Sequence, residues 1–226
     1  MNLLEVSTLV VPVVVAVTFH EAAHGFVAYR LGDDTAWQAG RVTFNPFKHI
    51  DLFGTIILPA VLLLSSSGRF MLGYAKPVPV NFRRLNHPRQ DMVWVAVAGP
   101  ATNVLLAIVS SLLLHGVGLV PASSAEWVAT NLWNSVQFNA LICVFNMLPL
   151  PPLDGGRVAV GLLPNALALP LARLERYGML ILLLFLFVIP FVGEKIGVNL
   201  NVLSWVIGGP ADSLYRFVLA ITGQSG

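Results

Sequence analysis

The sequence predicts an all-α polytopic membrane protein, a bundle of about 4–6 transmembrane helices with short membrane-associated β segments on the cytoplasmic side. Three observations carry that expectation. Hydrophobic residues make up 56% of the 226, charged residues only 11%, and the mean hydropathy is +0.78, a balance that excludes an ordinary soluble enzyme. Apolar runs of membrane length recur along the chain, separated by segments rich in proline, glycine and charge. Most of the basic residues also fall on one side of those runs, as they do in a protein that spans a bilayer several times.

The first span is expected over residues 8–29, with Pro12 tolerated near its start and Arg30 at the far interface. Its last half carries Thr18-Phe19-His20-Glu21-Ala22-Ala23-His24-Gly25, an HExxH pattern. At 3.6 residues per turn, His20 and His24 stack on one helix face and can reach one metal ion, while Glu21 sits about 100° round the helix. Zinc catalysis needs three protein ligands, an open position for water and a carboxylate to take the water's proton. Glu21 is the candidate base. Two histidines and a glutamate in a membrane-length apolar run are costly there, which marks them as functional. At 1.5 Å per residue, His24 lies about 9 Å and His20 about 15 Å inside the boundary at Arg30.

Residues 31–92 are different in kind. Gly32-Asp33-Asp34 signals a turn, and residues 38–46 alternate as a short strand would. Residues 70–81 read as a second extended piece, because each proline in Lys76-Pro77-Val78-Pro79-Val80 holds its predecessor out of the helical region. The prolines confine that piece to an edge. Between the two lie residues 52–64, too short for a full span and containing Gly54 and Pro59. They read as a re-entrant or short tilted segment.

A further span is expected over residues 92–120. Its Ala98-Gly99-Pro100-Ala101-Thr102-Asn103 run permits close helix approach and offers an amide for bonding across helices. Residues 121–130 lack Lys and Arg and read as an outer loop, and residues 132–148 as the next span. That span runs into Asn146-Met147-Leu148-Pro149-Leu150-Pro151-Pro152-Leu153-Asp154-Gly155-Gly156-Arg157, where prolines must break the helix. Backbone groups freed at that depth are tolerated only where they face protein or a wet cavity. Residues 177–192 form another span, and residues 200–222 hold one more apolar segment, broken at Gly208-Gly209-Pro210.

If residues 52–64 dip in and return, eleven of the thirteen Lys and Arg, from Arg30 to Arg176, share one side, leaving Lys195 and Arg216. The positive-inside rule makes that side cytoplasmic and puts the N-terminus outside. The spans at 8–29 and 132–148 are then parallel, and Asp154 arrives at the depth of the two histidines. By residue type alone an Asp between Pro-Pro-Leu and Gly-Gly is equally a turn residue. The depth match and the missing third donor favour Asp154 as a metal ligand.

These residues resemble the site-2 proteases, intramembrane zinc metalloproteases that cut transmembrane helices. The resemblance is to the short prokaryotic type, without an inserted PDZ-like or nucleotide-sensing domain. The paired signature is HExxH at His20 to His24 and Asn-x-x-Pro-x-x-Pro-Leu-Asp-Gly from Asn146 to Gly155, with Gly99-x-x-x-Asn103 between them. The resemblance implies one zinc ion on His20, His24 and Asp154, with Glu21 activating water. It also implies a supporting role for Asn146 near the scissile peptide. Asn103 and Asn146 are alternatively helix-to-helix bonds worth about 0.6–2 kcal/mol each.

Residues 1–226 are accordingly expected to form one membrane-embedded metalloprotease domain of a multi-pass cell-membrane protein, its active site towards the cytoplasm. Its partners are transmembrane protein substrates and the lipid bilayer. The basic stretch Arg83-Arg84 to Arg89 faces anionic lipid, not nucleic acid. The chain shows no basic leader before its first apolar run, which is read as retained. Cys143, alone in the chain, excludes an internal disulfide and is expected in the core. His49, His87 and His115 are expected to be ordinary loop and helix-end residues. The competing class is a metal transporter or catalytically silent adaptor using the same His/Asp set. A transporter would show broken helices in two repeated halves, and the sequence has no such repeat.

Since a helical substrate bonds its carbonyls to itself, it must unwind locally to be cut. The two extended pieces are expected to pair with the unwound stretch as an added strand.

Overall fold

A computed structural model describes residues 3–51, 54, 57, 61 and 75–224. Helix α1 spans Leu3–Arg30, 28 residues and about 42 Å at 1.5 Å per residue, enough to cross a bilayer core of about 30 Å. It ends where Gly32 takes φ 106°. That conformation lets the Gly32 N–H bond the Tyr29 carbonyl and the Asp33 N–H bond that of Ala28, the glycine C-cap that satisfies a helix's last carbonyls. The short helix α2, Thr35–Gln38, follows at once. Helix α3, Pro88–Leu114, opens on a proline at its first turn, where the missing N–H costs nothing. The Asp91 carboxylate accepts from the His87 N–H at 2.7 Å.

Helix α4, Ala122–Asn146, is followed by α5, Asp154–Leu162, and α6, Asn165–Arg173. Helix α7, Glu175–Lys195, contains a π-helical stretch at Leu184–Val188, and α8 is Val202–Ile221. Three of the described helices, α1, α3 and α7, are long and apolar enough to cross a membrane.

Several expectations are corrected. Residues 122–130 are not a loop but the first turns of α4. They contain neither Gly nor Pro, and Pro121 sits at the N-cap. The lack of Lys and Arg there marks an interface without marking a break. Gly208-Gly209-Pro210 does not interrupt α8, whose helix runs through Pro210.

Residues 38–46 form no strand. Gln38 ends α2, Arg41 turns inward to donate to the Lys76 carbonyl, and Asn45 caps a 3-10 turn at Pro46–Lys48. Residues 75–81 are extended as their prolines require, yet their backbone bonds go to side chains and turns rather than to a ladder. No strand occurs among the described residues, so the architecture is all-helical. The expected segment at 52–64, apart from 54, 57 and 61, and residues 70–74 lie outside the described residues.

Packing follows a single spacing. The buried residues of α1 include Thr8, Pro12, Ala16, His20, His24 and Ala28, and those of α3 include Asp91, Val95, Gly99, Asn103, Ala107 and Ser111. Both rows step by four, the ridge along which helices interlock. The interior residues are small or polar, while Leu9, Val10, Val14, Leu105, Leu112 and Leu113 are exposed. Small-inside and large-outside is the pattern of helices whose surroundings are lipid.

Cross-helix bonds set the register. Trp127 Nε1 donates to Ser7 Oγ at 2.9 Å and Asn134 Nδ2 to the Thr8 carbonyl at 2.8 Å, so α4 runs parallel to α1. Asn103 bonds Asn139, and Ser110 bonds Ser135, so α3 runs antiparallel to α4. Helix α8 docks on α3 and α4 through Val218, against Ala107 and Val136. Its C-terminal end is tied at the C-terminal end of α3, where His115 Nε2 meets the Thr222 carbonyl at 2.7 Å.

Candidate metal centre

His20 and His24 occupy the buried four-step row of α1, facing α3. Their Nε2 atoms are 3.0 Å apart. Asp154 Oδ2 lies 3.1 Å from His20 Nε2 and 3.3 Å from His24 Nε2. All three residues are more than nine-tenths buried. The parallel run of α1 and α4 therefore delivers Asp154 to the histidines, as the depth argument requires.

Local chemistry explains why Asp154 points there. Prolines 149, 151 and 152 end α4, and the chain turns through bonds from Leu150 N to the Leu148 carbonyl and from Leu153 N to the Leu150 carbonyl. Asp154 is the first residue of α5. A Cβ at Gly155 would strike the Met147 and Leu148 carbonyls, and one at Gly156 would strike Leu150 and Pro151. Glycines at both positions let the first turn of α5 pack on its own approach loop, which fixes the carboxylate's direction.

The outer nitrogens of both rings are held. His20 Nδ1 lies 2.6 Å from Asn103 Oδ1, and His24 Nδ1 lies 2.6 Å from the Val95 carbonyl oxygen. Asn103 is oriented by its own donor, since Nδ2 bonds Asn139 Oδ1 at 2.8 Å. A carbonyl oxygen only accepts, so each Nδ1 carries the proton and each Nε2 presents a lone pair. Two lone pairs and a carboxylate oxygen thus converge inside an apolar bundle. Asp154 Oδ2 is buried without a hydrogen-bond donor, an arrangement that is repulsive unless a cation lies between the three atoms. Donors of a tetrahedral zinc with bonds of about 2.0–2.1 Å stand about 3.3 Å apart. The observed separations of 3.0 to 3.3 Å fit such an ion.

Gly99 has a defined part in this. A Cβ there would overlap both imidazoles, so α3 can lie against the rings only with glycine at that position. The Gly99-x-x-x-Asn103 motif is therefore a contact surface for the two histidines, and Asn103 both joins helices and orients His20.

Glu21 is half-buried, and its Oε2 accepts from the main-chain N–H of Val78 at 2.8 Å. Asn146 turns its amide to its own helix. It is the last residue of α4, and its amide donates to the Ile142 carbonyl at 3.0 Å. His87 is exposed as expected, but His49 is buried, with Nε2 on the Thr43 carbonyl at 3.0 Å. Sequence reasoning missed Asn139, the Val95 carbonyl and the Val78 amide. Asn139 had a signal, because an amide in the middle of a span is costly unless it is bonded. The two backbone groups had none.

Donor set and setting together define a class, the membrane-embedded metallohydrolases. The family model for peptidase family M50 matches residues 8–125. The chain belongs to that family, the site-2 protease family, and is a zinc metalloendopeptidase. YwhC of Bacillus subtilis is 40% identical over 188 residues, 80% of each chain, and Rip2 of Mycolicibacterium smegmatis is 33% identical over 171 residues, 74% of this chain and 61% of its own. MJ0611 of Methanocaldococcus jannaschii is 30% identical over 62% of both chains. Each carries the name Putative zinc metalloprotease. No solved structure matches the chain significantly.

Proposed function

We propose that this chain is an intramembrane peptidase that hydrolyses peptide bonds within or near transmembrane segments of membrane-protein substrates. His20, His24 and Asp154 hold one zinc ion, Glu21 is the general base, and the site opens towards the cytoplasm. The observation that carries this reading is the convergence of the three metal-facing atoms within a buried, lipid-facing bundle. When bound, zinc supplies Lewis acidity towards water and a peptide carbonyl. The Glu21 carboxylate takes a proton from the attacking water as its oxygen bonds the carbonyl carbon. It returns that proton to the amine nitrogen as the C–N bond breaks, and no acyl-enzyme forms. Asn146 supports the reaction near the scissile peptide, its amide binding the substrate or its developing oxyanion.

Support for the cytoplasmic orientation is the charge count, which puts eleven of thirteen Lys and Arg on the site's side if residues 52–64 dip in and return. No observation favours the transporter or adaptor reading. The test is cleavage of a single-span protein whose apolar segment carries an Asn-Pro helix break in its cytoplasmic half. Mass spectrometry should place the cut in that half. A cut confined to the outer half would contradict the orientation, and metal flux without cleavage would favour a transporter.

The bonded chain behind His20 gives a second expected result. Asn139→Leu removes the acceptor that fixes Asn103, so the zinc dissociation constant should rise by roughly 10-fold, the lower end for an outer partner of a ligand. Competition with a chelator measures it. Unchanged affinity would separate Asn139 from the metal site.

A further inference from the structure

The extended segment at 75–81 has bonds that single out one donor. Pro77 and Pro79 have no N–H, and on an extended chain residues two apart face the same edge. Between Lys76 and Val80 the donors, at Lys76, Val78 and Val80, therefore alternate with residues that have none and stand about 6.6 Å apart. The Lys76 N–H is taken by the His49 carbonyl at 2.9 Å. The Val78 N–H meets Glu21 Oε2 at 2.8 Å. Among the described residues this is the hydrogen bond that the Glu21 carboxylate accepts, and Pro77 and Pro79 on either side of Val78 have no N–H to compete for it.

Both ends of the segment are gripped by the stretch that follows α1, the helix carrying Glu21. Arg41 Nη2 donates to the Lys76 carbonyl at 2.6 Å, and the Asn81 N–H donates to Asp33 Oδ2 at 2.6 Å. Asp33, Arg41 and His49 are all buried. Gly25, one turn beyond Glu21, lets the middle of the segment lie against α1, since a Cβ there would press on the Val78 and Val42 side chains. Five contacts from one helix and its following turn thus hold a proline-stiffened strip over the base.

We propose that the main-chain N–H of Val78 is the positioning group for Glu21, fixing Oε2 by a charge-assisted bond so that Oε1 alone meets the attacking water. This rests on the reading of Glu21 as the general base. A freely rotating carboxylate would meet the water in many orientations, and a misplacement of about 1 Å costs up to about 100-fold in rate. The Pro-Val-Pro pattern gives one donor at one place, with its flanks unable to compete.

The test removes that N–H by two routes. Val78→Pro does so with a residue suited to extended backbone, and a backbone ester, made by incorporating the α-hydroxy acid of valine at 78, does so while keeping the side chain. With the single-span substrate bearing the Asn-Pro break, kcat should fall by about 10- to 100-fold in both, with KM and zinc content unchanged. Val78→Ala, which keeps the N–H, should cleave faster than either. If the proline variant fails to fold or to hold zinc, the ester decides. Wild-type kcat in the ester while Glu21→Gln is inactive would overturn the proposal and leave the base assignment standing. A rise in KM alone would make the strip a substrate contact, and a gain in kcat would make it a restraint on the base; either overturns the positioning role. Full cleavage by Glu21→Gln would instead remove the base itself.

Discussion

Replacing Glu21 by Gln is expected to lower peptide cleavage by about 10²–10⁴-fold with zinc still bound, the loss that follows from removing a general acid–base group. Glutamine keeps the reach of the side chain and still accepts from the Val78 N–H through its carbonyl oxygen. It cannot take a proton from water. The proposed donors, His20, His24 and Asp154, are untouched, and Glu21 is not among the buried residues of α1. Folding and metal content should therefore match the wild type. Cleavage assayed beside zinc analysis on one preparation checks both halves, and undiminished cleavage in the zinc-loaded variant would sink the general-base role.

Asp154→Ala should abolish zinc retention as well as cleavage. The substitution leaves two imidazole lone pairs and removes the negative charge that balances the cation. Zinc affinity should fall by more than the roughly 10–100-fold typical of losing an outer partner. In metal-stripped protein the same change takes away an unpaired buried anion, so it should not lower the stability of that form. Asn146→Ala provides the contrast, because its amide bonds Ile142 and not the cluster. It should reduce cleavage with zinc retained. Full zinc in Asp154→Ala would exclude that residue from the coordination sphere.

The convergence of the three proposed metal ligands was legible because its constraints are local or depend on depth. His20 and His24 follow from helical period, and Asp154 from two parallel helices, α1 and α4, whose side-by-side starts show in the bonds from Trp127 to Ser7 and from Asn134 to Thr8 and whose common level shows in the contacts of Asp154 with both histidines. Helix ends were less legible. Absent charge at residues 122–130 reads as a loop, yet it reports the interface and not the backbone, which is helical there. The alternation at 38–46 suggested a strand, yet a strand needs a partner edge, and Arg41 and Asn45 instead bond within a compact turn. His49 looked like a solvated turn residue and is buried, because the segment at 75–81 folds back over it. Contacts of that kind join residues far apart in sequence through main-chain atoms, and no residue type announces them.

The central claim is that one zinc ion held by His20, His24 and Asp154 supports peptide hydrolysis inside the membrane. The most direct measurement strips the purified wild-type protein with a chelator and titrates zinc back while following cleavage of the single-span substrate. Cleavage should vanish on stripping and return in full at one zinc per chain, with no recovery in Asp154→Ala. Cleavage that survives in the stripped protein, or that zinc restores equally in Asp154→Ala, would contradict it.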